Sequence, residues 1–154
     1  MTKGSGKGCI AAAFLYPFSR CTGYEILENI HLMAEKNRLK YDINIRKFLT
    51  KPEYKDLNLF PNHKKKPELS FYKKDFLEEN WSNASFVFSN STCYDNRTWE
   101  GIVDECQKLK KGTFLVNTTK TLPKNISKNR ISMPPFQRLM SWGVSTVFVH
   151  RKRF

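Results

Sequence analysis

The chain has 154 residues, 40% of them hydrophobic and 14% aromatic, so it can bury a core and is not a disordered tail. Its 27 Lys and Arg stand against 14 Asp and Glu, a net charge of +13 that favours anionic partners such as nucleic acid, a nucleosome or a phospholipid surface. No apolar run is long enough to span a bilayer, and Cys9, Cys21, Cys93 and Cys106 show neither metal-ligand spacing nor a disulfide framework.

Met1-Thr2-Lys3 followed by glycines does not read as a secretory signal. That leaves reduced thiols in the cytosol or nucleus, and gives glycosylation sequons such as those at Asn83, Asn90, Asn96, Asn117 and Asn125 little meaning. In chain order, Gly4-Ser5-Gly6-Lys7-Gly8 predicts a sharp turn, since glycine takes positive φ and lets a ligand approach the main chain. The apolar run from Cys9 to Leu15 predicts a helix over 8–16, stopped by Pro17. Its free N–H groups and positive dipole end lie just behind the turn. A strand follows over Arg20–Ile26, and Glu25 falls seventeen residues after Gly8. Turn, helix, strand and acid in that order match the spacing that sets a carboxylate against a ribose in Rossmann-like folds. The phosphate-binding alternative fails, because Gly6-Lys7 is followed by Gly8 instead of a hydroxyl residue, and the upstream glycine is absent. The ligand expected is a nucleoside, not a triphosphate.

Leu27, Ile30, Leu32, Met33 and Leu39 keep helical spacing and predict a helix to about Arg38 or beyond. From Lys40 to Pro67 the chain is basic, interrupted by Pro52, Pro61 and Pro67, with Lys64-Lys65-Lys66 near its end; it reads as an inserted loop with a helical turn or two. Short strands are expected at Leu69–Tyr72, Ser85–Asn90 and Thr113–Asn117. A helix over Thr98–Lys110 carries Trp99, Ile102, Val103, Cys106 and Leu109 on one face. Two last strands, Gln137–Ser141 and Val144–His150, join at Trp142-Gly143. Strands alternating with helices and closed by a hairpin make an α/β fold in one domain, 1–154.

With these elements placed, the chain resembles the core of S-adenosyl-L-methionine-dependent methyltransferases, a Rossmann-like seven-stranded sheet with an antiparallel C-terminal hairpin. More narrowly it resembles the disruptor-of-telomeric-silencing class, histone-lysine methyltransferases without a SET domain. Gly4-Ser5-Gly6-Lys7-Gly8 is similar to that family's cofactor loop, and Glu25 to its ribose-binding acid. Asp75-Phe76-Leu77 followed by Trp81 is similar to the segment that contacts adenine. Phe88-Ser89-Asn90 is similar to the strand tip where an asparagine faces the methyl donor, and Thr118-Thr119-Lys120 falls at a family position after the next strand. The resemblance implies that Gly4, Ser5, Gly6, Gly8, Glu25, Asp75, Phe76 and Asn90 bind S-adenosyl-L-methionine. Asn90 and Tyr94 would then line the acceptor side. It implies no metal, a histone or nucleosome partner in the nucleus, and DNA contact through the basic loops. The alternatives are another protein or nucleic-acid acceptor, a cytoplasmic location, or a non-catalytic basic module that binds nucleic acid.

The family carries an acid two residues before the first glycine, where this chain has Thr2, and a hydrophobic first strand ahead of the turn. The expectation is a sheet lacking that strand, together with the helical N-terminal region that supplies much of a lysine channel.

Overall fold

The computed structural model describes residues 4–49, 67–140 and 143–153. The chain falls into two compact units, 1–76 and 77–154. Thr2, Lys64-Lys65-Lys66 and Trp142 lie outside the described residues.

In the first unit, α1 (Lys7–Leu15) leads into β1 (Arg20–Tyr24), then α2 (Glu28–Leu49) and β2 (Glu68–Tyr72). β1 and β2 pair in parallel, Cys21 against Leu69 and Gly23 against Phe71. Residues of one face turn inward by the period-2 rule of a strand. Cys21, Leu69 and Phe71 there meet Cys9 and Ala13 of α1 and Ala34 and Tyr41 of α2 in one core. Phe14 meets Tyr41 edge to face, with ring centroids 5.1 Å apart. On the other face Tyr24 and Tyr72 stack at 5.8 Å. α2 continues to Leu49, so residues 40–49 of the segment expected as an inserted loop with a helical turn or two are helical, and most of the rest of that segment lies outside the described residues. Arg38 explains part of this: it pairs with Glu35 one turn back and with Asp42 one turn on, and neither Gly nor Pro interrupts the helix.

A 3-10 turn (Phe76–Glu78) begins at the last residue of the first unit and runs into the second. Then come β3 (Phe86–Asn90), α3 (Asn96–Lys108), β4 (Phe114–Thr118), α4 (Lys124–Ser127), β5 (Arg130–Ser132), β6 (Phe136–Met140) and β7 (Gly143–Lys152). β3 and β4 are parallel; β7 runs antiparallel to β4 and carries β5 and β6 on its other edge. Met140 opposite Gly143 closes the expected terminal hairpin. α3 buries Ile102, Val103 and Cys106, and Leu109 just beyond it is also buried. Asp95 caps α3, accepting from the Thr98 backbone N–H at 2.8 Å. The other end is closed by two cations. Arg130 Nη2 donates to the Cys106 carbonyl at 2.5 Å and Lys152 Nζ to the Gln107 carbonyl, where the helix dipole is negative.

Within the first unit β1 and β2 pair as a two-stranded sheet, and within the second β3 to β7 pair as a five-stranded one. Among the described residues the first element is α1, and no strand precedes the glycine turn. Three cysteines are buried and Cys93 is exposed. Burial pushes the Cys21 thiol up to about 11 and Cys106 to about 12. No described helix is long and apolar enough to cross a membrane.

Candidate functional site

In the first unit the candidate residues gather at the C-terminal end of the parallel strand pair. Glu25 follows β1 directly, and its backbone N–H donates to the Tyr72 carbonyl at 3.0 Å, tying it to the last residue of β2. Asp75 comes three residues after Tyr72, half-buried, and Phe76 opens the 3-10 turn. The glycine turn reaches the same end. A Cβ placed on Gly6 would stand 2.8 Å from the Phe71 ring and 3.2 Å from Ala34 Cβ.

The glycines are not equivalent. Gly6 has φ +80° and is packed under Phe71, so its missing side chain serves the fold. Gly4 has φ +48° and Gly8 sits in the first turn of α1, and a Cβ on either would meet nothing within 4 Å. Those two leave open backbone where a ligand can come close. Gly6, at the cap position of α1, offers no side chain to the first N–H groups, which therefore stay available to an acceptor atom. Ser5 is held by its carbonyl, which accepts from Asn37 Nδ2 at 2.9 Å. Glu25 spends Oε1 on the Leu27 N–H at 3.1 Å; Oε2 has no hydrogen-bond partner among the described residues.

In the second unit Asn90 ends β3. Its Oδ1 accepts from Thr92 Oγ1 at 2.9 Å and from Thr118 Oγ1 at 2.7 Å. Tyr94 is half-buried on the turn that enters α3, with its N–H donating to the Ser91 carbonyl at 3.4 Å. Ser91 Oγ donates to the Thr118 carbonyl, and Asn117 Nδ2 to that of Lys120, so the chain end of β4 is held from both sides. Thr119 between them has φ +68°, a left-handed conformation in a β-branched residue. Such a backbone costs ~1–3 kcal/mol and collects at functional sites. Lys120 Nζ reaches Asn96 Oδ1 at 3.5 Å. Asp95 beside it is held below the usual carboxylate range by hydrogen bonds from Thr98, with Arg97 and Lys120 adding.

Sequence reasoning missed Ser91, Thr92 and Ser145 as members of this cluster. The polar run Asn90-Ser91-Thr92 after a buried strand was a usable signal, matched by Thr118-Thr119-Lys120 after the next. Ser145 gave none, since a serine inside an alternating strand looks like any outward position.

An α/β arrangement with its ligand-type residues at the carboxyl ends of parallel strands defines the class: this is a Rossmann-like fold, with antiparallel strands at its C-terminal side, of the kind seen in solved methyltransferases. The particular likenesses are to solved structures. A conserved hypothetical protein of Streptococcus pyogenes superposes with a TM-score of 0.59 at 16% identity, over 99% of this chain and 82% of that one. An rRNA methylase of Streptococcus thermophilus gives 0.56 at 14%, over 99% and 84%. The magnesium protoporphyrin IX methyltransferase of Synechocystis PCC 6803, solved with bound SAM, gives 0.52 at 10%, over 85% of this chain and 58% of that one. No protein-family model and no curated protein matches the sequence.

Proposed function

We propose that the chain is the core of an S-adenosyl-L-methionine-dependent methyltransferase whose acceptor is a lysine amine of a histone, working in the nucleus on chromatin. The observation that carries the cofactor half is that Glu25 follows the end of β1 and is tied to Tyr72 at the end of β2, three residues before Asp75, while Gly6 of the glycine turn packs on Phe71 near that same strand end. The residues present fit that cofactor. Open backbone at Gly4 and Gly8 suits a close approach, the free Oε2 of Glu25 suits a ribose hydroxyl, and Asp75 with Phe76 suits an adenine amine and ring face. When bound, the cofactor supplies a methyl group on a positively charged sulfur, open to in-line displacement by an amine. The chain's own residues orient and align the partners, which can contribute several kcal/mol of the barrier, on the order of the lower range for well-oriented reactants. The incoming amine must first lose its proton, which desolvation favours.

The histone acceptor rests on the motif resemblance together with the net charge of +13, which suits nucleosomal DNA. A nucleic-acid acceptor is the second reading, favoured by the same charge and by the rRNA methylase among the structural neighbours. Isothermal titration with S-adenosyl-L-methionine tests the class: micromolar or tighter binding is expected, abolished by Glu25→Ala or Asp75→Ala. No heat signal would leave a basic nucleic-acid-binding module. Methylation of nucleosomes but not of naked RNA or unrelated proteins supports the histone acceptor, and the reverse pattern overturns it.

A further inference from the structure

At the ends of β3 and β4 five side chains form one hydrogen-bonded chain, and its direction follows from counting protons. Asn90 Oδ1 can only accept, and it accepts from both Thr92 and Thr118. A hydroxyl has a single proton. Thr92 has given its own to Asn90, so towards Thr119 Oγ1, 2.9 Å away, it must accept. Thr119 has then used its proton, and it accepts from Ser145 Oγ at 3.1 Å. Protons therefore run from Ser145 through Thr119 and Thr92 to Asn90, and such chains strengthen link by link. The amide oxygen is saturated, while Nδ2 has no hydrogen-bond partner among the described residues.

Thr119 supplies a second, independent observation. It is exposed, so packing does not demand a threonine, and at φ +68° glycine would be the unstrained choice. Its N–H donates to the Thr146 carbonyl at 2.8 Å, a bond that any residue could make. What threonine adds is the hydroxyl that links Thr92 to Ser145.

We infer that Thr92, Thr118, Thr119 and Ser145 are positioning residues that hold Asn90 with its carbonyl inward and its NH2 outward. The group Asn90 takes is then one bearing a lone pair: an unprotonated amine nitrogen or a carbonyl oxygen, and not an ammonium. The opposite orientation would present an oxygen and favour the protonated amine, so the threonines set which protonation state is admitted. This inference deepens the function proposed above and rests on Asn90 facing the acceptor.

The test pairs nuclear magnetic resonance with kinetics on nucleosomes. In 15N-labelled protein the Asn90 side-chain NH2 pair is identified by its loss in Asn90→Asp. Thr92→Val and Thr118→Val are expected to move that pair, and Thr92→Ser and Thr118→Ser to restore it. Thr119→Gly removes the hydroxyl while relieving the backbone, so it should keep or raise the melting temperature and still move the pair. In turnover, the valine variants should lower kcat roughly 10- to 100-fold with the cofactor KM little changed. Asn90→Asp should fold normally and displace the pH profile upwards, because a carboxylate holds the amine protonated. An NH2 pair unmoved in Thr92→Val, Thr118→Val and Thr119→Gly overturns the inference, whatever the activity. A pair that moves in a protein giving no heat with S-adenosyl-L-methionine supports the positioning and sinks the methyltransferase reading instead. Cofactor binding with kcat unchanged in all three variants does the opposite.

Discussion

A single methyl group separates two of the glycines in the N-terminal turn. Gly6→Ala would place a Cβ at φ +80° and within 2.8 Å of the Phe71 ring. Left-handed strain and overpacking together should cost about 2–4 kcal/mol, read as a shift in the urea midpoint. Gly8→Ala meets nothing and lies in a helix, so stability should stay level or rise by up to ~1 kcal/mol. Its cofactor affinity should nevertheless fall, and unchanged affinity would remove Gly8 from the cradle. The sequence showed three alternate glycines as one motif; only the packing around each tells the structural one from the open ones. His150 makes a different residue-scale case. Burial first, and Arg130 second, lower its pKa below the ordinary 6.5, and Ser132 Oγ sits 2.8 Å from its Nδ1. The unfolded chain then binds a proton that the folded one resists, so this group's contribution is present above about pH 6.5 and lost as pH falls through the folded value. Melting curves at pH 7.5 and 5.5 should show the drop, and His150→Phe should flatten it.

Among the elements, α3 was the easiest to foresee and the reasons are visible in its residues. Ile102, Val103 and Cys106 repeat with helical period and end up buried, as the face expected of them. Ile102→Ala should cost about 2–5 kcal/mol by equilibrium denaturation, because the side chain is fully enclosed. A loss below ~1 kcal/mol would mean that α3 packs loosely on its sheet. β5 and α4 could not be foreseen, since elements of three and four residues contain less than one full pattern. Arg130 illustrates the cost of missing them. In sequence it is one cation among many; in β5 it closes the end of α3. The end of α2 was left open at Arg38 or beyond, because the apolar spacing stops at Leu39; the charges at Glu35, Arg38 and Asp42, spaced as successive helical turns, carry the helix on.

For the molecule as a whole, the α/β class and the terminal hairpin were legible, since alternating strands, helices and turn residues each leave a local mark. The strand partners within each unit were not, because pairing between strands is long-range and one sequence carries no register for it. Net charge acts at this scale too. With +13, affinity for a DNA duplex should fall on the order of 10³-fold between 50 and 200 mM salt, measured by fluorescence anisotropy. A flat response would detach the charge from nucleic-acid binding. The distribution of thiols has a practical corollary. Cys9, Cys21 and Cys106 are enclosed, two of them with proton affinities that keep sulfur neutral, whereas Cys93 lies open between Thr92 and Tyr94. A maleimide dye added near neutrality should therefore attach at one place, beside the proposed acceptor position. Its emission would report occupancy there without any engineered handle.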